Sequence, residues 1–213
     1  MRPNQRQAYE AHRDRYLLEV LRAERSTSVH PAATLDLAAA FGRPAPLAVE
    51  IGPGTGESLV PMAAARPGLN LLAFEVYEPA VAAIVAALAR TGVSNVRLVV
   101  ADAAEGLRHL LPEASVRELW TFFPDPWPKA RHHKRRLVDA AFVDLAASRV
   151  QPGGLWRLAT DWPDYAEVMR DLLGAHPAWR AVPAEPVRPE TRFEARGRAA
   201  GRPVSDLAYR RQE

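Results

Sequence analysis

Short apolar runs alternate with helix-like segments along most of the chain, and this alternation restricts the possible folds more than any other feature. The apolar runs occupy residues 47–51, 71–75, 96–100, 119–122 and 155–160, and a last strand is expected at 204–210. Helices are predicted between them, at about 57–65, 80–91, 103–111, 135–149 and 162–175. Such alternation builds a mostly parallel, doubly wound sheet with helices on both faces. The predicted fold class is therefore α/β.

The length and composition predict one principal domain. The chain has 213 residues, of which 48% are hydrophobic, enough to bury a full core. We expect a single domain over residues 31–213. Residues 1–30 are polar and rich in arginine, and they predict a basic, flexible N-terminal arm whose helix is ordered on binding. Residues 151–154 predict a turn before the fifth strand, and residues 183–189 predict a proline-rich extended linker.

Several classes of protein are disfavoured by what the sequence lacks. With no cysteine, the chain has no disulfide, no thiolate nucleophile and no cysteine-ligated zinc, which fits a reducing compartment. No apolar run follows the first residues, so a secretory signal is not expected. The longest apolar stretch, residues 80–89, is well short of the roughly 20 residues that cross a bilayer. We therefore expect a cytoplasmic protein that does not enter a membrane.

Charge is distributed unevenly, although its formal net value is only +3. Residues 44–120 carry eight acidic and five basic side chains, whereas residues 129–136 carry five basic and no acidic ones. Residues 188–211 add seven arginines against three acids. An acidic half beside basic segments is typical of a protein that binds a cationic small molecule and an anionic large one.

A glycine turn follows the first predicted strand, in the sequence Glu50-Ile51-Gly52-Pro53-Gly54-Thr55-Gly56-Glu57. Such a turn lets the backbone approach a nucleotide closely, although a glycine turn alone is weak evidence. A pyrophosphate here would face Glu50 and Glu57, whose charges oppose the helix dipole that binds anions. S-adenosylmethionine instead carries a sulfonium and an ammonium, which carboxylates attract. The sequence therefore favours S-adenosylmethionine over a nicotinamide cofactor.

Two more carboxylates end the next two predicted strands. Glu75 lies nineteen residues after Gly56, near the spacing at which an acidic side chain accepts hydrogen bonds from ribose hydroxyls. Asp102 ends the third strand, where it either accepts from an adenine amino group or caps the following helix. Because the carboxyl ends of parallel strands meet at one edge of a sheet, we expect Glu50, Glu75 and Asp102 to line one cofactor pocket.

A stiff acidic corner precedes the densest basic run of the chain. The corner, residues 123–128, is Phe-Pro-Asp-Pro-Trp-Pro, and the basic run, residues 129–136, is Lys-Ala-Arg-His-His-Lys-Arg-Arg. Prolines fix φ and push their neighbours into extended backbone, so Asp125 is presented rigidly. Trp127 offers a face for base stacking, and the cations offer charge to a polyanion. The alternative is a rigid loop before a solvated helix start.

These motifs make the chain similar to the bacterial tRNA (guanine-N7-)-methyltransferases. The shared patterns are Glu-x-Gly-x-Gly-x-Gly from residue 50, Pro-Asp-Pro-Trp-Pro-Lys from residue 124 continuing into Arg-His-His-Lys-Arg-Arg-Leu, and Thr-x-Phe-Glu-x-Arg-Gly from residue 191. The resemblance covers about residues 44–211. It implies a Rossmann-like fold of the class I methyltransferase type, S-adenosylmethionine as cofactor, and tRNA as partner. It also implies methyl transfer to N7 of a guanosine in the variable loop.

The resemblance also assigns site residues by position. With the glycine turn, it implies a cofactor pocket lined by Glu50, Gly52, Gly54, Gly56, Glu75, Asp102 and Asp125. It implies contacts with the tRNA or its guanine from Lys129, Arg131, His132, His133, Lys134, Arg135, Arg136, Asp161, Thr191, Arg192, Phe193 and Glu194. Two positions depart from the pattern, because Ala130 and Arg192 stand where the family often has lysine.

The expected chemistry also follows from the residue types. Guanine N7 has a lone pair and no proton, so its attack on a sulfonium methyl group needs positioning and no general base. A carboxylate beside the base becomes more favourable as positive charge develops on the purine, which predicts Asp125 as the catalytic residue. Glu194 can accept from guanine N1 and N2, or form an ion pair with Arg192 or Arg196. The alternative for Asp161 is to cap the helix that follows it.

Other functions and states stay open at the level of sequence. His132 and His133 are neighbours that project apart with no third ligand at a suitable spacing, so we expect phosphate contacts and no metal. One competing function is a non-catalytic RNA-binding protein with a methyltransferase fold. Another is a methylase of exocyclic amino groups, because Asp-Pro-Trp resembles the loop that holds adenine amines. Monomer and homodimer are equally compatible with the sequence.

Overall fold

The computed structural model describes residues 3–185 and 188–213, and the chain divides into two compact units. The first unit comprises Met1–Leu111 and Val187–Pro189, and the second comprises Pro112–Pro186 and Glu190–Glu213. The described strands form a seven-stranded sheet in which most pairs are parallel. The predicted α/β fold with a mostly parallel sheet is therefore confirmed.

The first unit alternates helices and strands around three parallel strands in the order β3-β2-β1. Its elements are α1 (Pro3–Tyr16), α2 (Leu37–Phe41), β1 (Leu47–Ile51), α3 (Leu59–Ala65), β2 (Asn70–Phe74), α4 (Glu78–Thr91), β3 (Val96–Val99) and α5 (Ala103–Leu110). Ile51 pairs in register with Phe74, which pairs with Val99, so the three strands end together. The residues that follow them therefore share one edge of the sheet.

Local sequence explains the bounds of these elements. Every residue of β1 and β2 is buried, as expected for apolar strands covered on both faces. Helix α4 starts with Glu78 and a proline in its first turn and ends at Thr91. The residue that caps it, Gly92, has a φ of 72°, the left-handed conformation that glycine adopts at low cost. Asp102 caps α5, because its side chain accepts a hydrogen bond from the backbone N–H of Glu105.

The N-terminal segment is part of the first unit and is bonded to its sheet. Tyr16 is buried, and its hydroxyl donates to the carbonyl of Val93 at 2.9 Å. The backbone N–H of Leu18 donates to the carbonyl of Leu98 in β3, at 2.9 Å. These bonds anchor the end of α1 and the residues after it. The separate domain over residues 31–213 and the ordering of the arm on binding stay predictions.

The second unit has four strands in the order β4-β5-β7-β6. Its elements are β4 (Val116–Phe122), a 3₁₀ helix (Ala130–Arg135), α6 (Ala140–Arg149), β5 (Val150–Thr160), α7 (Pro163–Ala175), β6 (Trp179–Val182), α8 (Arg192–Ala199) and β7 (Ser205–Arg211). Strands β4 and β5 are parallel, whereas β7 is antiparallel to both of its neighbours. Phe122 pairs with Ala159 and Thr160 pairs with Ser205. The residues after β4, after β5 and before β7 are therefore neighbours at one edge.

A cluster of aromatic side chains forms the centre of the second unit. Trp156 is fully buried, with ring centroids 5.8 Å from Phe142 and 5.4 Å from Trp179. Its indole N–H donates to the hydroxyl of Thr121 at 3.0 Å, so the buried donor is satisfied. This packing fixes β4, β5, β6 and α6 to one another. The edge that carries the corner therefore rests on a rigid core.

Several boundaries differ from the predictions. Helix α6 begins at Ala140 instead of residue 135, because Asp139 accepts from the N–H of Phe142 and caps it. Residues 151–154 lie inside β5, so the predicted turn is wrong; β5 pairs with β4 through a register shift near Val116. Strand β6 and helix α8 were not predicted. Residues 186 and 187 of the predicted linker lie outside the described residues.

Candidate functional site

The glycine turn follows β1 at the edge where the strands of the first unit end. Gly52, Gly54 and Gly56 have φ values of 63°, 56° and 82°, a region that residues with a Cβ atom adopt at a cost. At Gly56 an added Cβ would lie 3.0 Å from Cγ1 of Ile84. At Gly54 it would meet no atom within 4 Å. Gly56 is therefore required for packing on α4, whereas Gly54 leaves open space above the turn.

Glu75 ties the glycine turn to the end of β2. Its Oε2 accepts from the N–H of Gly54 at 3.0 Å, and its Oε1 accepts from the N–H groups of Val76 and Tyr77 at 2.8 and 2.9 Å. Three backbone donors therefore hold one carboxylate in a fixed orientation. The lone pairs that remain on its two oxygens are available to a ligand's hydroxyl groups.

Glu50 is the least satisfied carboxyl group of this edge. It is 3% exposed, and its Oε2 has no hydrogen-bond partner among the residues that the structure describes. The pKa of Glu50 is raised from 4.5 to about 8, chiefly by burial, while the charge of Arg188 opposes the shift and the charge of Glu75 adds to it. A buried carboxyl with an unpaired oxygen is costly unless a partner arrives. The arrangement therefore fits a ligand that carries a cation or a hydrogen-bond donor.

Asp102 begins the next helix at the same edge. Its side chain caps α5, and its backbone N–H donates to the carbonyl of Thr27 at 2.7 Å. The capping role considered from the sequence is therefore present, and a capping carboxylate keeps a second oxygen for another donor. Residues 27–29 also bind this edge, because the N–H of Val29 donates to Glu105 at 2.7 Å. The three strand-end carboxylates thus share one edge, as predicted.

The corner of the second unit is strained and exposes its carboxylate. Phe123 and Trp127 have φ values of 52° and 42°, and such conformations of bulky residues cost about 1–3 kcal/mol each. The N–H of Phe123 donates to the carbonyl of Ala159 at 2.7 Å, which ties the start of the corner to β5. Asp125 is exposed to solvent. The corner therefore presents one acidic group on a backbone that its surroundings must hold in place.

Most of the basic run is accessible, but its last residue is not. Lys129, Arg131, Lys134 and Arg135 are exposed. Arg135 lies over the Trp127 ring, 4.9 Å from its centroid, and His132 meets the same ring edge-on at 5.9 Å. His132 and His133 are partly buried, whereas Arg136 is 5% exposed. The exposed cations could meet a polyanion, and Arg136 is enclosed by protein groups instead.

The carboxylates of β5 and α8 are buried and paired. Asp161 is 6% exposed and accepts from Nε of Arg202 at 2.8 Å. Helix α7 is capped at Trp162 without a side-chain bond, so the capping alternative for Asp161 is not found. Glu194 is 5% exposed and pairs with Arg198 at 3.4 Å, a partner that was not anticipated.

The segment from residue 191 forms the start of helix α8. The hydroxyl of Thr191 accepts from the N–H of Glu194 at 3.1 Å, which caps the helix. Gly197 is close to Asp161, because an added Cβ would lie 2.8 Å from its Oδ2. The side chains of Arg192 and Phe193 lie outside the described part of the structure. Thr191 is thus held by a local cap, whereas Asp161 is held by contacts with residues far along the chain.

Comparison with known proteins identifies relatives of this chain. A family model described as a putative methyltransferase matches residues 44–207. A tRNA (guanine-N(7)-)-methyltransferase of Cutibacterium acnes is 48% identical over 219 residues, which cover 99% of this chain and 79% of the relative. One from Nocardioides sp. is 48% identical over 212 residues, which cover 99% of this chain and 83% of that protein. The chain belongs to the tRNA (guanine-N7-)-methyltransferase family.

The fold of this family member is also shared with solved structures. The 16S rRNA methyltransferase KamB superposes with a TM-score of 0.61 at 17% identity, and the match covers 92% of this chain and 100% of that one. At such identity the likeness concerns the fold alone. It confirms the Rossmann-like sheet of the class I methyltransferase type that the motifs predicted.

The described residues of this methyltransferase contain no group of three or more metal-ligating side chains. None of the helices within residues 3–185 and 188–213 is both long and apolar enough to cross a bilayer. Sequence reasoning missed three residues that shape the site, namely Asp164, Tyr165 and Arg202. A usable signal existed for Asp164 alone, since an acidic residue after Trp162-Pro163 is typical of a first helical turn.

Proposed function

We propose that this protein transfers a methyl group from S-adenosylmethionine to N7 of a guanosine in the variable loop of tRNA. The observation that carries the proposal is 48% identity to a tRNA (guanine-N(7)-)-methyltransferase over 99% of the chain. That range includes both the carboxylate edge and the corner with its basic run. A cytoplasmic location follows from a tRNA substrate, and the proposal needs neither a membrane nor a metal.

The carboxylate edge is the proposed cofactor site. S-adenosylmethionine, when bound, supplies an electrophilic methyl group on a positively charged sulfur. Gly52, Gly54 and Gly56 keep side chains away from the turn, and Glu75 accepts hydrogen bonds from ribose hydroxyls. Glu50, whose Oε2 lacks a partner among the described residues, provides the acceptor that a cationic ligand needs. Asp102 accepts from the adenine amino group while it continues to cap α5.

Asp125 is the proposed catalytic residue. Guanine N7 has no proton to lose, so the site needs to position the base and to stabilise the positive charge that develops on it. An exposed carboxylate on a constrained corner meets both requirements, because it can approach the base without reorganising the backbone. Its second proposed contact, with the cofactor, rests on the resemblance of the motif.

The basic run and helix α8 are the proposed tRNA contacts. Lys129, Arg131, His132, His133, Lys134 and Arg135 lie on an accessible or partly accessible run that suits phosphate groups. Asp161, Thr191, Arg192, Phe193 and Glu194 are proposed to contact the guanine and its neighbours. In the structure Asp161 and Glu194 are paired with Arg202 and Arg198. A guanine edge would therefore share these carboxylates with the arginines or displace them.

The decisive experiment is methyl transfer to unmodified tRNA. Purified protein is incubated with methyl-labelled S-adenosylmethionine and tRNA transcripts, and the products are digested to nucleosides and separated by mass spectrometry. We expect label in 7-methylguanosine. Label in methyladenosine would instead support an exocyclic amino-group methylase. Cofactor and tRNA binding without transfer would support a non-catalytic RNA-binding protein.

A further inference from the structure

We infer that Arg136 is a positioning residue that holds the corner, and through it Asp125, in the geometry required for methyl transfer. Its guanidinium bridges the backbone of the corner and the first turn of helix α7. This role differs from that of the rest of the basic run, whose cations face solvent. The inference rests on the proposed function, because it assigns Arg136 a part in orienting the proposed catalytic residue.

The contacts of Arg136 converge from three directions. Nε donates to the carbonyl of Pro126 at 2.9 Å, and Nη2 donates to Oδ2 of Asp164 and to Nε2 of His133, the latter at 3.1 Å. The guanidinium also lies over the Tyr165 ring, 4.7 Å from its centroid. The Tyr165 hydroxyl accepts from the N–H of Val138 at 2.9 Å, which fixes the ring in turn. Arg136 is therefore enclosed by groups that are themselves held.

The corner needs such a donor because its own sequence supplies few. Pro124, Pro126 and Pro128 have no backbone N–H, so the corner has little capacity to hydrogen-bond to itself. The carbonyl that Arg136 binds belongs to the peptide between Pro126 and Trp127, and the plane of that peptide sets the φ angle of Trp127. That angle is 42°, which a tryptophan keeps only when its surroundings enforce it.

The burial of Arg136 argues against a phosphate contact. Its side chain is 3% exposed, whereas that of its partner Asp164 is 53% exposed. The hydrogen bond from Arg136 lowers the pKa of Asp164, which indicates that this carboxylate is ionised at neutral pH. A phosphate could reach the guanidinium only if the corner opened. Lys134, two residues earlier in the same run, is exposed and is therefore accessible to a phosphate.

The test compares Arg136→Met and Arg136→Lys with a matched control, Arg211→Met. Arg211 is also partly buried and donates to backbone carbonyls, those of Ala147 at 2.9 Å and Gln212 at 2.6 Å, but it is remote from the corner in sequence and contacts. Each variant is measured for kcat and KM with both substrates, for thermal unfolding, and for tRNA affinity across a salt series. Lys134→Met serves as the reference for a lost phosphate contact.

We expect Arg136→Met to lower kcat by about 10- to 100-fold, since small misplacements of a reacting group cost about that much. The dissociation constant of S-adenosylmethionine should stay within about twofold of wild type. Arg136→Lys should fall between wild type and Arg136→Met, because an ammonium is a point donor that cannot serve Pro126 and Asp164 in one plane. The slope of log affinity against log salt should be unchanged in both, whereas Lys134→Met should reduce it by about 0.7–0.9.

Either of two results with Arg136→Met would overturn the inference. One is a salt slope in Arg136→Met that falls as much as in Lys134→Met, which would make Arg136 a phosphate contact. The other is a kcat no lower than that of Arg211→Met. If Arg136→Met does not fold, Arg136→Lys and Asp164→Asn replace it, and wild-type kcat in both would contradict the inference. A wild-type protein that does not methylate tRNA fails before any variant is compared, and it overturns the proposed function together with this inference.

Discussion

The glycine turn and the corner both follow a buried strand and both present carboxylates, but they are held by opposite means. At the glycine turn, backbone N–H groups of residues 54, 76 and 77 satisfy Glu75, and the arrangement leaves Glu50 buried with an unpaired oxygen. At the corner, prolines remove backbone donors and a buried arginine supplies one. The hydrogen-bond donors that hold the turn come from the main chain, whereas the donor that holds the corner comes from one side chain.

This difference separates two ways of preparing a site. A carboxyl group that is buried without a partner lowers the stability of the free protein, and it gains a partner when the ligand binds. A strained loop that a side chain clamps has its geometry fixed before the ligand arrives. We therefore expect changes at the turn to alter cofactor affinity and stability, and changes at the corner to alter turnover.

The largest expected effect is that of Asp125→Ala. Removing one preorganised electrostatic contact to a developing charge lowers turnover by about 100- to 1,000-fold. Affinity for S-adenosylmethionine should change far less, because the turn that binds it is untouched. Steady-state kinetics and calorimetry on the same preparation measure the two quantities. Unchanged turnover, or an equal loss in both quantities, would remove Asp125 from the catalytic role.

The next effect is the pH dependence that Glu50 imposes on stability. With a pKa raised from 4.5 to about 8, Glu50 holds its proton in the folded state across a range where the unfolded chain has lost it. The folded state then binds more protons, so the free energy of unfolding falls as pH rises from about 4.5 to 8 and levels off above. Glu50→Gln has no such titration, so its free energy of unfolding should exceed that of wild type at pH 8 by an amount on the order of a few kcal/mol.

Cofactor binding by wild type and Glu50→Gln provides the control for that comparison of stabilities. A cationic ligand favours ionised Glu50, so binding should release a proton in wild type, and the affinity should rise with pH up to about 8 relative to Glu50→Gln. Titration of the cofactor's own amino group is common to both proteins and cancels in the comparison. Calorimetry in buffers of different ionisation enthalpy counts the protons. Equal proton release by the two proteins would contradict the assignment of the titration to Glu50.

The two regions also differed in how far the sequence could predict them. The carboxylate edge followed from periodicity, because Glu50, Glu75 and Asp102 each end an apolar run and parallel strands end together. The burial of Arg136 could not be inferred, since it ends a run that reads as uniformly solvated. Its partner Asp164 lies 28 residues further along the chain, and no local rule connects the two.

Secondary structure near the C-terminus was harder to predict for a related reason. Strand β6 has four residues, and only Trp179 is buried, so it lacks the apolar pattern of a strand and depends on pairing with β7. Helix α8 is mostly polar and follows a proline-rich segment. The resemblance assigns the segment from residue 191 to tRNA contacts, and the cap that Thr191 forms was not predicted. Tertiary contacts decided both elements.

A smaller effect distinguishes two glycines of the turn. Gly56→Ala combines a positive φ with a Cβ 3.0 Å from Ile84, and it should destabilise the protein by about 1–3 kcal/mol. Gly54→Ala has the same sign of φ but open space around it, so its cost should be about 1 kcal/mol. Cofactor affinity should fall more in Gly54→Ala, because its methyl group enters the space above the turn. Chemical denaturation and calorimetry measure the two changes, and equal stabilities would argue against the Ile84 contact.

The smallest expected effect on function is that of Tyr16→Phe, which tests a region outside both the turn and the corner. The Tyr16 hydroxyl donates to the carbonyl of Val93 in a buried setting. Its removal leaves that acceptor unpaired and should cost about 1–2 kcal/mol of unfolding free energy. Neither kcat nor cofactor affinity should change, because no proposed site residue contacts this bond. A loss of turnover without a loss of stability would show that the end of helix α1 acts on the reaction, and the contrast between turn and corner would then be incomplete.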